Sequence, residues 1–229
     1  MQLHTNYELS AFSRANDTPW VPSPLKGVDR KMLERNGDEV ARATTIVRYA
    51  PGSHFSPHVH TGGEEFLVLD GVFSDEHGDY PKGMYVRNPV GSKHKPFSKD
   101  GCTIMVKLWQ YPAHDQLFVR TDLLDDALWV AQADGTDRLE LHRTDHEHVE
   151  ALKIPEGASV SFKEPGGIEL FVFAGSMHAG GARYSEGDWL RFPVGDSTKV
   201  TAGEGLLLWK KTGHLIAPPP LPNDAQPKS

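Results

Sequence analysis

Three imidazoles and one carboxylate stand close together in the segment Gly52-Ser-His-Phe-Ser-Pro-His58-Val-His60-Thr-Gly-Gly-Glu64 and at His94. Side chains on an extended strand alternate faces, so His58 and His60, one residue apart, point the same way. Glu64 follows a Gly-Gly turn and opens the apolar run Glu-Phe-Leu-Val-Leu before Gly71. It shares a face with Phe66 and Val68, which aims its carboxylate at an apolar interior. An unpaired ion there is costly, and a bound cation removes that cost. A metal site built from His58, His60, Glu64 and His94 is the chemistry these types and spacings predict.

The elements that must position these groups are short strands. The runs 44–49, 65–69, 84–87 and 103–109 are rich in β-branched and aromatic residues and are punctuated by Gly, Pro, Asp and Asn. Long amphipathic helical patterns are missing, and at most a turn of helix is expected near 10–14 and 121–125. Many short strands at even spacing predict an all-β sandwich or barrel.

The chain is also written twice. Asp17-Thr-Pro-Trp-Val21 recurs as Asp126-Ala-Leu-Trp-Val130, and Gly62-Gly-Glu-Glu-Phe-Leu-Val-Leu-Asp-Gly71 as Gly166-Gly-Ile-Glu-Leu-Phe-Val-Phe-Ala-Gly175. The run from Tyr80 to Gly91 recurs from Tyr184 to Gly195 in the same order and at a nearly constant offset. A tandem duplication predicts two all-β domains, 1–114 with an N-terminal extension and 115–215, followed by a Pro-rich tail, 216–229, that cannot join a ladder.

At 229 residues, with 38% hydrophobic and 24% charged residues, the chain has the composition of a globular protein. A net charge of −7 with no basic stripe argues against a nucleic-acid partner. One cysteine, Cys102, leaves no intrachain disulfide framework and fits a reducing compartment. No apolar run reaches the roughly 18 residues of a membrane span, and the N-terminus lacks a signal pattern. A cytoplasmic protein without a membrane partner is expected.

Gly52-x5-His58-x-His60-x3-Glu64-x6-Gly71 and Gly83-x5-Pro89-x-Gly91-x2-His94 resemble the two cupin motifs. The resemblance implies a pair of jelly-roll (double-stranded β-helix) barrels, and it implies that His58, His60, Glu64 and His94 are the metal ligands of the first. The repeat places Phe162, Glu164, Ile168 and Thr198 at the corresponding points of the second barrel, which is therefore expected to be metal-free. Thr18-Pro-Trp-Val-Pro-Ser-Pro, Val47-Arg-Tyr-Ala-Pro-Gly-Ser, Arg87-Asn-Pro-Val-Gly-Ser-Lys-His94 and Gly101-Cys-Thr-Ile-Met-Val-Lys-Leu-Trp109 are similar to the cupin domain of the ChrR anti-sigma factors. That likeness implies one divalent metal per chain, zinc first with iron, manganese or nickel as alternatives. It also implies a sensory, transcription-regulating role in stress response. The helical zinc domain that binds the sigma factor in that family has no counterpart here, which argues against a sigma-factor partner; another protein partner, a small-molecule ligand and a homodimer stay open. The other reading is a metal-dependent dioxygenase acting on a small polar substrate such as a diketone or thiol, so enzymatic activity is left open and no catalytic residue is assigned.

Further polar residues are weighed singly. His54 shares the parity of His58 and is either an exposed strand residue or an accessory to the site. Glu65 is expected to face solvent or a surface ion pair, His77 to sit on an exposed hairpin tip, and His142, His146 and His148 to lie on the surface. Cys102 is read as a small buried side chain, with an oxidant-sensing thiol as the sharper alternative.

Overall fold

The computed structural model describes residues 1–222 and, among them, contains strands, turns and a single 3-10 turn at Asp126–Leu128. Two compact units divide the chain: residues 1–5 and 18–124 with the described chain from 219 form one, residues 6–17 and 125–218 the other. The first barrel thus extends ten residues beyond the boundary expected at 114, and the N-terminal extension is shared between the units. Of the Pro-rich tail, residues 217–222 carry no strand, and 223–229 lie outside the described residues.

In the first unit the main sheet runs Gln2–Leu3, Val28–Gly37, Ala41–Tyr49, Cys102–Leu108, Glu64–Asp75, Met84–Asn88, Val119–Asp122. All of these pairings are antiparallel, as short strands joined by brief connections allow. Glu64–Asp75 is the spine. Its first half pairs with Cys102–Leu108 and Met84–Asn88, and its second half turns over to pair with Gly78–Pro81 and Phe97–Ser98. The corner falls at Gly71, whose φ of 71° and approach to the Gly101 carbonyl leave no room for a Cβ. A register shift between Thr103 and Ile104 lies opposite it, the bulge that bends a strand around a barrel corner. The strand's inward residues Phe66, Val68 and Phe73 join Val47, Val86 and Ile104 in the core.

In the second unit a seven-stranded sheet runs Val130–Ala131, Asp137–Arg143, His148–Lys153, Leu207–Thr212, Ile168–Ala174, Trp189–Phe192, Ala11–Ser13. It faces a four-stranded sheet of Ser159–Lys163, Ser197–Ala202, Ser176–Ala179 and Ala182–Ser185. Between them Leu152, Phe162, Ile168, Leu170, Val172 and Leu208 form a continuous apolar core.

The helical turns expected near 10–14 and 121–125 are not there. Both segments lie along sheet edges instead, Ala11–Ser13 against Trp189–Phe192 and Val119–Asp122 against Met84–Asn88. Three or four residues gain little from one helical turn, whereas an open sheet edge offers each of them ladder hydrogen bonds at once.

Candidate metal centre

The four groups singled out by their spacing meet at one end of the first barrel. Ligand atoms of His58, His60, Glu64 and His94 all lie within 4.8 Å of one another. His58–Val59 pairs with Lys93–His94 so that His58 and His94 face each other in register. His60 is tied to the same loop by backbone bonds, its N–H to the Ser92 carbonyl and its carbonyl to the Gly91 and Gly63 N–H groups. The Gly62-Gly63 turn then carries the chain from His60 to Glu64. A Cβ on Gly62 would overlap the Trp109 ring and one on Gly63 the Tyr111 ring, and Gly63 has a φ of 73°, so glycine is required at both for the turn to close. Glu64 starts the spine strand opposite Asn88.

Each imidazole is held by its outer nitrogen. His94 Nδ1–H donates to Asp75 Oδ2 at 3.0 Å, His60 Nδ1–H to Ser92 Oγ at 2.9 Å, and His58 Nδ1–H to the Ser56 carbonyl at 3.2 Å. Ser92 Oγ spends its own hydrogen on the Pro89 carbonyl at 2.6 Å, which leaves it an acceptor. Acceptors facing all three Nδ1 atoms favour the tautomer with the proton there, which leaves the Nε2 atoms of His60 and His94 as lone-pair donors facing each other and Glu64. His60 Nε2 stands 3.2 Å from His94 Nε2, and Glu64 Oε2 lies 3.3 Å and 3.6 Å from the two. Lone pairs and a carboxylate at such separations repel unless a cation sits among them, so the donor set fits a divalent metal ion. Glu64 Oε2 in turn accepts from Asn88 Nδ2 at 3.1 Å.

The electrostatics of the two buried rings diverge. Burial lowers the His60 pKa, although the Glu64 charge works the other way. Burial also acts to lower that of His94, but the hydrogen bond to Asp75 and the charges of Glu64 and Asp75 outweigh it and raise the value. Asp75, despite its burial, is held below the usual carboxylate range by His94, the His77 N–H and the Tyr80 hydroxyl. The site is closed on one side and open on the other: His60, Glu64 and His94 are buried, while His58 is exposed.

Asp75, Asn88 and Ser92 were not legible as site residues. Asp75 reads as part of a polar hairpin tip, yet it shares the parity of the inward Phe73, and Asn88 shares that of Val86. That parity is the signal that could have found them.

Other expectations need correction. Glu65 is fully buried, its Oε2 accepting from Arg87 Nη1 at 2.8 Å, while Arg87 Nη2 donates to Asp115 Oδ2 at 2.8 Å. The outer face of this sheet is therefore covered rather than solvated. His142 is buried, next to a register shift between Glu140 and His142 where the consecutive Leu141 and His142 are both covered; His146 and His148 are half-buried. His54 is exposed and stacks on Phe97 with ring centroids 5.7 Å apart, outside the convergent set, and His77 is exposed as expected. Cys102 is buried and its thiol is pushed up to about 11 by desolvation, which disfavours the reactive thiolate.

In the second barrel the strand pairing tests the repeat directly. Phe162 faces Thr198 as His58 faces His94, and Ile168 faces Phe192 as Glu64 faces Asn88. No imidazole or carboxylate occupies three of the four ligand positions, and the fourth, Glu164, is paired with Lys210 at 3.6 Å.

A family profile described as the ChrR Cupin-like domain matches residues 10–112 and again 117–216. The chain belongs to the ChrR cupin-like domain family. No curated protein matches it significantly in sequence. Among solved structures, YlbA from Escherichia coli superimposes with a TM-score of 0.70 at 13% identity, covering 91% of this chain and 93% of that one. The bacterial pirin YhhW from Escherichia coli, solved in complex with nickel(II), gives 0.65 at 12% identity over 93% and 100%. A variant of the oxalate decarboxylase from B. subtilis gives 0.61 at 13% over 89% and 77%. At these identities the likeness establishes the cupin fold, here as two barrels, and nothing about activity. No helix among the described residues is long and apolar enough to cross a membrane.

Proposed function

We propose that this cupin holds one divalent metal ion per chain, zinc in the first instance, on His58, His60, Glu64 and His94, and that it works in the cytoplasm as a sensory or regulatory protein. The ion meets a small ligand or oxidant at the first barrel, and the response passes to a protein partner. The observation that carries the metal reading is the convergence of ligand atoms of His58, His60, Glu64 and His94 to within 4.8 Å, with all three Nδ1 atoms facing acceptors. A bound ion would supply Lewis acidity and exchangeable coordination there. The residues themselves hold the imidazole tautomers, bring one negative charge and leave the His58 side open to a ligand. Because the Cys102 thiol is held protonated by burial, an oxidant would act at the metal site and not at sulfur.

One observation favours a second reading, a dioxygenase-type enzyme for a small diketone or thiol: the exposure of His58 makes the site reachable from solvent. The test is oxygen uptake by protein loaded with zinc, iron(II) or manganese(II) against a panel of β-diketones, thiols and oxyacids. The sensory reading expects no uptake with any metal, together with zinc release on peroxide or ligand addition. Turnover with iron(II) would replace it by the enzyme reading.

A further inference from the structure

The hydrogen bonds behind Glu64 and His94 do not end at Asn88 and Asp75. Asn88 Oδ1 accepts from Arg120 Nη2 at 2.8 Å, while its Nδ2 donates to Glu64. This fixes the amide: turned over, its oxygen would face the Glu64 carboxylate and its NH2 the guanidinium, a repulsive arrangement at both ends. Behind His94, Asp75 Oδ1 accepts from the Tyr80 hydroxyl at 3.1 Å. The Arg120 guanidinium lies against that tyrosine too, its central carbon 5.4 Å from the ring centroid and within hydrogen-bonding reach of the phenol. Arg120 Nη1 is itself anchored, donating to the Arg87 carbonyl at 2.9 Å and the Val119 carbonyl at 2.8 Å. One side chain therefore stands at the root of both arms, Arg120–Asn88–Glu64 and Arg120–Tyr80–Asp75–His94.

Its location is unusual for such a role. Arg120 is exposed, and it sits on Val119–Asp122, the last strand of the sheet, which among the described residues pairs only with Met84–Asn88. The second barrel supplies an internal control. At the positions equivalent by register, Phe12 replaces Arg120 against Leu190, Phe192 replaces Asn88, and Ala179 replaces Asp75, whereas Tyr80 persists as Tyr184. There Phe12 packs edge-on against Tyr184 with centroids 6.2 Å apart. The edge strand and the tyrosine belong to the barrel in both copies. An arginine also lies over that tyrosine, Arg14 with its central carbon 4.8 Å from the Tyr184 centroid, but Phe192 and Ala179 give it nothing to relay through; among the described residues the polar relays through Asn88 and Asp75 occur only where the ligands do.

We propose that Arg120 is a positioning residue of the metal centre, a surface guanidinium that sets the orientation of Glu64 and His94 through Asn88 and through Tyr80–Asp75. The proposal rests on the reading that these ligands hold a metal. Seating or displacing the edge strand at residues 119–122 would then alter the ion's hold, which gives the exposed face of the unit a handle on the buried centre.

The test compares full-length wild type with Arg120→Met, Arg120→Lys and His94→Ala, each loaded with zinc and then mixed with excess chelator, and separately loaded with cobalt(II) for its visible spectrum. Removing outer partners of ligands weakens metal sites by about 10–100-fold. Arg120→Met, one bond further out, is expected to release zinc about tenfold faster, to shift the cobalt band, and to leave the melting of the metal-free protein unchanged. Lysine keeps the charge without the fork, so Arg120→Lys should fall between; it also serves as the readout if the methionine variant does not fold. Combining Arg120→Met with Asn88→Ala should cost less than the sum of the two. A wild-type release rate and cobalt band in Arg120→Met, or faster release that merely tracks a lower melting temperature, would overturn the proposal. If His94→Ala keeps zinc as wild type does, the ligand reading itself fails, an outcome separate from the behaviour of Arg120.

Discussion

The two barrels share a fold and a strand register, and they differ in how each balances charge in its interior. The first gathers three imidazoles around the Glu64 carboxylate with no Lys or Arg side chain paired to it among the described residues, a donor set that fits a metal ion. The second has Ile168 in place of that carboxylate and brings its own cation. Lys210, on the same inward face as Leu208, lies 2.6 Å from Glu150 and 4.8 Å from the centroid of the Phe162 ring, and it is almost fully buried. Its counterpart by register in the first barrel is Val106, which faces Phe66 and Thr45 as Lys210 faces Leu170 and Glu150. A duplicated barrel can thus be stabilised by an external ion or by a covalent ammonium, and only the first arrangement leaves coordination chemistry available.

The largest expected effect separates the copies outright. Glu64→Ala should abolish stoichiometric metal binding, whereas Glu169→Ala, at a residue whose carboxylate faces Trp189 Nε1 at 2.6 Å and not the barrel axis, should leave metal content unchanged. Equal loss in both would remove the distinction between the barrels. Next comes the internal cation. Lys210→Met leaves the buried Glu150 with the more distant Arg138, at 3.7 Å, and breaking a buried pair costs about 3–5 kcal/mol. A large fall in the denaturant midpoint with unchanged metal content is the expected outcome; a fall in metal content instead would tie Lys210 to the first site.

A smaller, graded effect is pH. Protons compete with the metal for Nε2, so occupancy falls as pH falls. His94, whose pKa is raised by Asp75 and Glu64, should be protonated first on the way down, and His60, lowered by burial, later. Zinc release on titration from neutral pH to about pH 4, moved to lower pH by Asp75→Asn if the lost charge weakens His94 as a proton acceptor more than as a ligand, would sharpen the account. Full occupancy at the acid end would contradict a histidine-rich centre.

Much of this was legible in the sequence because period-two alternation and the repeat are local signals. His58, His60 and Glu64 lie within one turn of each other in the chain, and the repeat showed where their partners were absent. What stayed hidden needed three dimensions. Asp75, Asn88 and Arg120 reach the ligands across strand pairings; the parity that Asp75 shares with Phe73 and Asn88 with Val86 marks an inward face but not the partner. Glu65 read as a surface residue because alternation predicts a face and not what covers it. His142 read as surface because it lies in a charged stretch, and a charged stretch does not reveal the irregular register at Glu140–His142 where it is buried. The edge strands at 11–13 and 119–122 are too short to announce themselves, since their stability comes from the neighbour they pair with and not from their own residues.

The central claim is one metal ion per chain, in the first barrel alone. Elemental mass spectrometry of protein purified without added metal or chelator tests it most directly. One equivalent of a divalent metal is expected, falling to near zero in His94→Ala. A second equivalent, or one that persists in that variant, would contradict it.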